Sequence, residues 1–217
     1  MPDYATLRAN MVATQVLANG VTEERILESF RLVPREAFVP GAKRSIAYAD
    51  APVEIVPGRF VLSPRCLAKL IELPDIRPGE TVLDVACATG YSTHVVAHLA
   101  KQVTGLEEDA ALVRVASDVQ HSLHAANVTI VQGALSQGYR AGSPYDVILV
   151  EGGVEFVPDA LLAQLANGGR LAAMYRREGQ AHAVLLLNEG GRMGRRFDFV
   201  DSAPLLPGFR EPAGFVF

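Results

Sequence analysis

The sequence predicts an α/β protein: a doubly wound, mainly parallel seven-stranded sheet of the Rossmann-like kind, preceded by an N-terminal helical extension. Three observations predict it. From Thr81 onward, short apolar runs alternate with helical patterns, the order that builds parallel strands with helices on both faces. Val147-Ile148-Leu149-Val150 is continuously apolar, as a strand buried on both faces requires. The 217 residues are 49 % hydrophobic and 20 % charged, enough apolar material for one core and too much for disorder.

The elements follow in order. Leu7, Met11, Val12 and Val16 recur at three- and four-residue steps, which predicts a helix over Ala5–Ala18 with Gly20 at its end. Thr22 is the expected cap of a second helix through Phe30, stopped by Pro34. Phe38–Gly58 has many breakers and reads as a long ordered loop with a short strand near Val53–Val56. Ser63-Pro64 starts a helix to about Leu73. Strands are expected at Thr81–Val85, Gln102–Leu106, Val128–Gln132, Asp146–Val150 and Arg170–Tyr175, with helices at Tyr91–Leu99, Asp109–His124 and Pro158–Leu165. His182–Leu187 and Phe197–Val200 are two further strands, with a Gly190-Gly191 turn early in their connection. The tail after Pro204 is loop-like. Residues 1–75 form the extension and residues 76–217 the sheet domain.

Composition excludes several function classes. The 20 basic and 24 acidic residues leave a net charge of −4, unsuited to non-specific nucleic-acid binding. Two cysteines, Cys66 and Cys87, are too few for a disulfide scaffold or a Cys-rich zinc site. No apolar run approaches the ~18 residues of a membrane span, and no leader pattern opens the chain. The expectation is a cytoplasmic protein with no membrane or nucleic-acid partner.

In doubly wound sheets ligands bind beyond the carboxyl ends of the strands. The first sheet strand ends in Asp84-Val85-Ala86-Cys87-Ala88-Thr89-Gly90, an acid followed by small residues and a glycine before a helix. Small residues let a ligand approach the backbone. The second strand ends in Leu106-Glu107, where a carboxylate can accept both hydroxyls of a ribose. No diphosphate fingerprint or GK[ST] loop follows, so a ligand with one ribose is favoured over dinucleotides and nucleoside triphosphates.

Several segments together resemble the protein-L-isoaspartate O-methyltransferases. They are Met11-Val12-Ala13-Thr14-Gln15, Val33-Pro34-Arg35-Glu36-Ala37-Phe38-Val39-Pro40, Ala47-Tyr48-Ala49-Asp50-Ala51-Pro52, Asp84–Gly90, Glu107, Pro144-Tyr145-Asp146 and Asn167-Gly168-Gly169-Arg170-Leu171. The likeness runs over about residues 8–176 in the family's order. It implies S-adenosyl-L-methionine as cofactor and a damaged protein or peptide as substrate, with methyl transfer to a carboxylate. It implies no metal, and catalysis by alignment and desolvation. The donor side would be Asp84, Ala86, Cys87, Ala88, Gly90, Leu106, Glu107, Ala134 and Glu151. Nothing in the sequence decides between monomer and homodimer.

The departures from the family pattern are specific. A threonine position of the family is Phe60 here and a serine position is Leu62, so two pocket hydroxyls are absent from the substrate side. Ser63 replaces one of them if the loop slips by a residue; otherwise it caps the following helix. Ala86 and Ala88 stand where glycines are common, and Ala134 stands where the family's acid faces the adenine amine. Glu151 follows the fourth sheet strand, with two readings open: a ligand for a cation or a base, or a loop carboxylate satisfied by local N–H groups.

Other groups are read as structural. His121/His124 and His94/His98 have helical spacing but lack further ligands in reach. Cys87 sits near a helix start that would lower its pKa, though its smallness suffices to explain it. Arg176-Arg177 and the Arg192–Arg196 run are solvated faces, or a contact for an acidic partner.

Overall fold

The computed structural model describes residues 3–177 and 179–211 of the chain. Its centre is a seven-stranded sheet in the order β5-β4-β3-β6-β7-β8-β9. The strands are β3 (Thr81–Val85), β4 (Gln102–Glu107), β5 (Val128–Gln132), β6 (Tyr145–Val154), β7 (Leu165–Arg177), β8 (Gln180–Glu189) and β9 (Arg192–Asp201). β5 through β7 in that order pair in parallel, and β8 and β9 close the sheet as an antiparallel meander. Apart from this sheet, β1 (Val53–Val56) and β2 (Arg59–Val61) form a two-stranded hairpin turned at Gly58, φ +78°. The strand near Val53–Val56 was expected; its partner β2 was not.

Helices α1 (Tyr4–Met11), α2 (Glu24–Leu32) and α3 (Pro64–Glu72) lie in the extension. α4 (Tyr91–Ala97), α5 (Ala110–Leu123) and α6 (Asp159–Leu162) are the crossovers of the sheet. The apolar core divides by face. One cluster joins Met11, Ile26, Phe30, Phe38 and Leu67 of the extension to Val82, Val103, Val147 and Met174 of the sheet. The other joins Leu83, Val85, Ile148 and Leu171 to Leu135, Leu161 and Phe209. Strand residues alternate between the two faces, so adjacent Val82 and Leu83 serve different clusters.

The differences from the sequence reading have local causes. The first helix runs on from α1 as a π turn over Val12–Val16 and a 3-10 turn over Leu17–Asn19, ending at Gly20 in the left-handed region. Asp3, not expected, caps its start by accepting from Thr6 N at 3.1 Å. Thr22 does not cap α2: Glu23 is the N-cap residue, with no side-chain bond. The expected helix Pro158–Leu165 is only the turn α6, because Leu165 already pairs with Tyr145 in the sheet. β9 begins five residues before the expected Phe197. Gly190-Gly191 is therefore the whole hairpin turn, with φ +64° and +90° as a two-residue turn needs. This edge strand carries Arg192, Arg195 and Arg196 and is mostly exposed on both faces, so its sequence lacks alternation. Beyond Pro204 the backbone returns to the sheet: Gly153 N donates to Pro204 O at 2.7 Å and Leu206 N to Gly153 O at 2.9 Å. Pro212 and Gly214 of that tail lie outside the described residues.

Among the described residues no helix is long and apolar enough to cross a membrane. They also contain no group of three or more His, Cys, Asp and Glu side chains placed to hold a metal. His121 is exposed and bonds Ser117 O through Nδ1 at 2.6 Å; His94 is buried and bonds Gly90 O at 2.7 Å.

Candidate functional site

The carboxyl ends of β3, β4 and β6 come together where a doubly wound sheet places a ligand. β3 leaves the sheet through a tight turn. Ala86 N and Cys87 N both donate to Leu106 O, at 2.9 and 3.2 Å, and Gly90 N donates to Cys87 O at 2.7 Å. This path forces three residues into the left-handed region: Ala86 at φ +69°, Ala88 at +50° and Gly90 at +89°. Only glycine adopts it freely, and for alanine it costs ~1–2 kcal/mol. Burial of the Ala88 methyl returns ~0.8 kcal/mol. Ala88→Gly is therefore expected to raise stability slightly, by about 0.5 kcal/mol. Ala68→Gly, at a fully buried right-handed position within α3, should lower it by about 1 kcal/mol or more. Denaturant midpoints of opposite sign check the pair.

Asp84 is fully buried and accepts from Ser92 Oγ at 2.7 Å and Thr93 Oγ1 at 2.6 Å, which pins α4 to the end of β3. Burial pushes its carboxyl up to about 6, against the two hydroxyl bonds. Cys87 is buried too, and burial raises its thiol well above the ordinary range, the reverse of a helix-activated thiolate. Its sulfur packs toward Gly105, where an added Cβ would lie 3.1 Å from it.

Glu107 is the best-bonded side chain here. Oε1 accepts from Glu108 N at 2.9 Å and Asp109 N at 3.1 Å; Oε2 accepts from Ala88 N at 3.0 Å. The last partner of Oε2 was not foreseen: the Arg59 guanidinium, through Nη2. Both side chains are inaccessible, at 5 % for Arg59 and 0 % for Glu107. The hairpin β1–β2 thus delivers a cation to the carboxylate that the sequence assigns to a ribose.

Glu151 lies inside β6, since the strand runs on to Val154, and not in a loop satisfied by local N–H groups. It is buried, and its Oε1 has no hydrogen-bond partner. Burial raises its carboxyl well above the ordinary carboxylate range; Asp84 adds to the rise and Arg35 opposes it. A carboxyl with a raised native pKa holds its proton more tightly when folded. Its contribution to stability is full below the unfolded pKa and is lost as pH rises through that range toward the native value. Glu151→Gln should leave the melting midpoint nearly unchanged at pH 4.5 and raise it at pH 8; parallel midpoint–pH curves for the two proteins would contradict this.

The remaining expected positions are more scattered. Phe60, on β2, lines a small cavity with Val61, Leu67, Ala86, Cys87, Tyr91, Ser92 and Glu151. Leu62 is buried and uses only its carbonyl, which accepts from Arg35 Nη2 at 2.7 Å. Ser63 Oγ accepts from Cys66 N at 3.2 Å, so its hydroxyl caps α3 and does not take the place of Leu62. Ala134 is exposed at the start of the 3-10 turn Leu135–Gln137, next to Gly133, whose N–H donates to Glu107 O at 3.0 Å.

Arg35 and Tyr91 are the other residues the sequence did not single out. Arg35 is fully buried, donates to Ala47 O at 2.6 Å, and lies 4.8 Å from the Tyr91 ring centre. Tyr91 packs edge-on to Phe30 and Phe38, and Thr89 Oγ1 donates to Phe38 O at 2.6 Å. The extension is thereby keyed onto the β3 turn. The basic residues Arg177 and Arg195 line a separate, open groove of about 560 Å³ on the outer strands, with Tyr175, His182 and Phe197.

The sheet order, the β3 turn and the acid ending β4 place the chain in the Rossmann-like class, with an acid where such folds hold a ribose. Comparison with known proteins narrows the class. The family model described as protein-L-isoaspartate(D-aspartate) O-methyltransferase (PCMT) matches residues 7–193. The chain is 37 % identical over 211 residues to the protein-L-isoaspartate O-methyltransferase of Methylorubrum extorquens, covering 96 % of this chain and 92 % of that one. It is 40 % identical over 168 residues to protein-L-isoaspartate O-methyltransferase 1 of Rhodopseudomonas palustris, covering 77 % and 69 %. Among solved structures, a protein-L-isoaspartate O-methyltransferase superposes with a TM-score of 0.82 at 24 % identity, over 93 % of this chain and 66 % of that one. A PCMT from Plasmodium falciparum, in complex with S-adenosyl-L-homocysteine, gives 0.76 at 19 % identity, over 95 % and 99 %. The chain belongs to the protein-L-isoaspartate(D-aspartate) O-methyltransferase family, and so to the S-adenosylmethionine-dependent methyltransferases.

The backbone frame suits an adenosyl group, but Arg59 occupies the side of Glu107 that a ribose would take, and the space lined by Phe60 and Glu151 is small. The cavity bordering the β3 turn measures about 10 Å³. That is the room of one water molecule, whereas small-molecule sites run to ~300–1,000 Å³. At Glu107 Oε2, Arg59 already supplies the donor that a ribose hydroxyl would bring.

Proposed function

We propose that the protein is a protein-carboxyl O-methyltransferase that modifies a carboxylate on a damaged protein or peptide. The observation that carries this reading is the position of Glu107: the acid ending β4 lies against the turn after β3, inside a chain matched by the family over residues 7–193. In this reading Asp84, Ala86, Cys87, Ala88, Gly90, Leu106, Glu107, Ala134 and Glu151 belong to the donor side. Phe60, Leu62 and Ser63 belong to the acceptor side. Residues 1–75 form the acceptor-side extension, supported by the contacts of Phe38 and Arg35 with the β3 turn. The protein works in the cytoplasm, as monomer or homodimer, without nucleic-acid or membrane partners.

The acceptor side is unusual for an anionic substrate. Phe60 and Leu62 bring no side-chain hydrogen-bond donor, and Glu151 brings a buried acid. A carboxylate desolvated beside these groups without a donor would be destabilised by several kcal/mol. Arg35, whose Nη1 has no hydrogen-bond partner, is the buried cation in this region that opposes Glu151.

The test is transfer of labelled methyl from S-adenosyl-L-methionine to an isoaspartyl peptide, beside its normal aspartyl twin and a reaction without protein. Faster labelling of the isoaspartyl peptide supports the reading; labelling of neither above the protein-free rate defeats it. One observation favours a second reading, a relative that binds peptides or partners without methyl transfer: the closed cavity at the β3 turn. That reading predicts peptide binding by calorimetry in the absence of any labelling.

A further inference from the structure

Glu107 beside the β3 turn is capped by the chain's own Arg59, and the way it is capped suits an exchangeable contact better than a permanent one. Three features bear on this. First, the pair is poorly satisfied. The Arg59 side chain is buried, with one hydrogen bond from Nη2 to Glu107, and Nε has no partner. A guanidinium is best held by two parallel bonds with its remaining donors satisfied, and a buried charge pair without these gains little over its desolvation cost. Second, Glu107 does not depend on Arg59 for its position. Three backbone N–H groups, of Ala88, Glu108 and Asp109, hold both carboxylate oxygens in place. Withdrawal of the arginine leaves an oriented acceptor whose unmet need is a donor at Oε2. Third, Arg59 is carried by an element outside the main sheet. The hairpin β1–β2 has only two strands, with a register irregularity between Glu54 and Val56, and it turns at Gly58. Two-stranded hairpins of this kind are marginal by themselves, so the hairpin is the part of the site that can yield while the sheet stays fixed.

We propose that Arg59 is an internal competitor for the ribose place at Glu107, so that the side chain at position 59 sets the affinity for the adenosyl donor. This rests on the donor reading given above. In the closed state the guanidinium satisfies Glu107; in the open state the two hydroxyls of a ribose do so, and the hairpin moves away with Arg59. The measured affinity is then the intrinsic affinity reduced by the fraction of molecules that are open. A chain with ninety-nine closed molecules to one open would bind about 100-fold more weakly than its frame allows. Phe60 and Val61, on the same hairpin and lining the cavity, move with it.

The experiment is calorimetric titration of S-adenosyl-L-homocysteine into the full chain and into Arg59→Gln. Glutamine is shorter and neutral, and it keeps an N–H for Glu107. The expected result is a dissociation constant at least 10-fold lower for the variant, with no loss of the circular-dichroism spectrum. If Arg59→Gln does not fold, Arg59→Lys keeps a cation beside Glu107 with a smaller head, and it should tighten binding about threefold or more. Equal affinity of the folded variant and the wild type would overturn the competitor role while leaving the donor reading intact. Binding by neither protein would overturn both.

Discussion

Replacing Glu107 with alanine is expected to cost about 3–5 kcal/mol of folding stability, the range for removing one partner of a buried ion pair. The reason is what stays behind. Arg59 would remain 5 % exposed with no carboxylate opposite it, and its Nε already lacks a partner. The N–H groups of Ala88, Glu108 and Asp109 would lose their acceptor at the same time, in the part of the chain where β4 hands over to α5. At ~2–4 °C per kcal/mol for a domain of this size, the midpoint should fall by about 10 °C. Chemical denaturation at constant pH measures it. A loss under 1 kcal/mol would mean that Arg59 escapes to solvent without difficulty. The double variant Glu107→Ala with Arg59→Ala should recover part of the loss, because no buried charge is then left alone.

Arg35→Ala is expected to be comparably severe, at about 3–4 kcal/mol. Arg35 is fully buried and satisfies two carbonyls far apart in sequence, Ala47 O and Leu62 O, while its guanidinium covers the Tyr91 ring. Truncation leaves both carbonyls without their charged donor and opens a cavity between the extension and α4. It also removes the cation that opposes Glu151, so the Glu151 carboxyl should move further up. The loss should therefore be at least as large at pH 8 as at pH 5, since a carboxyl raised further in the folded protein costs stability only once the unfolded chain can ionise it. Denaturation at the two pH values checks the magnitude and the sign. Arg35→Lys should recover little, since an ammonium cannot reach two carbonyls and cover a ring at once.

These two arginines also mark where sequence reasoning stops. β6 was legible because a parallel strand buried on both faces leaves an unbroken apolar signature, and β3, β4, β5 and β7 were legible as short apolar runs alternating with helical patterns. Glu107 was legible because an acid at the end of the second strand has a fixed place in the topology. The π turn after α1 was not, because Met11, Val12 and Val16 keep ordinary helical steps through it, and the first half of the edge strand β9 was not, because its exposed residues do not alternate. Arg59 lies 48 residues from its partner, in the short run between the Phe38–Gly58 loop and the helix starting at Ser63, to which the sequence assigns no element. Arginine is ordinarily a surface residue, and no local pattern marks one that will be buried. Glu151 was placed after its strand because the unbroken apolar run ends at Val150. In fact an added Cβ at Gly152 would lie 2.5 Å from Leu206, and one at Gly153 would lie 2.8 Å from Ala203 O. The strand continues, and those glycines make room for the returning tail.

The amino-acid sequence by itself determined the sheet, its crossover helices, the family, and the acid at the end of β4. These follow from periodicity, turn chemistry and residue order, which are local quantities. Only the tertiary structure decided who stands opposite that acid and how much space is left beside the β3 turn. Both depend on which distant side chains the closed core has no room to leave outside. A carboxylate at a strand end is written in the chain; whether it faces a ribose or an arginine is settled by packing.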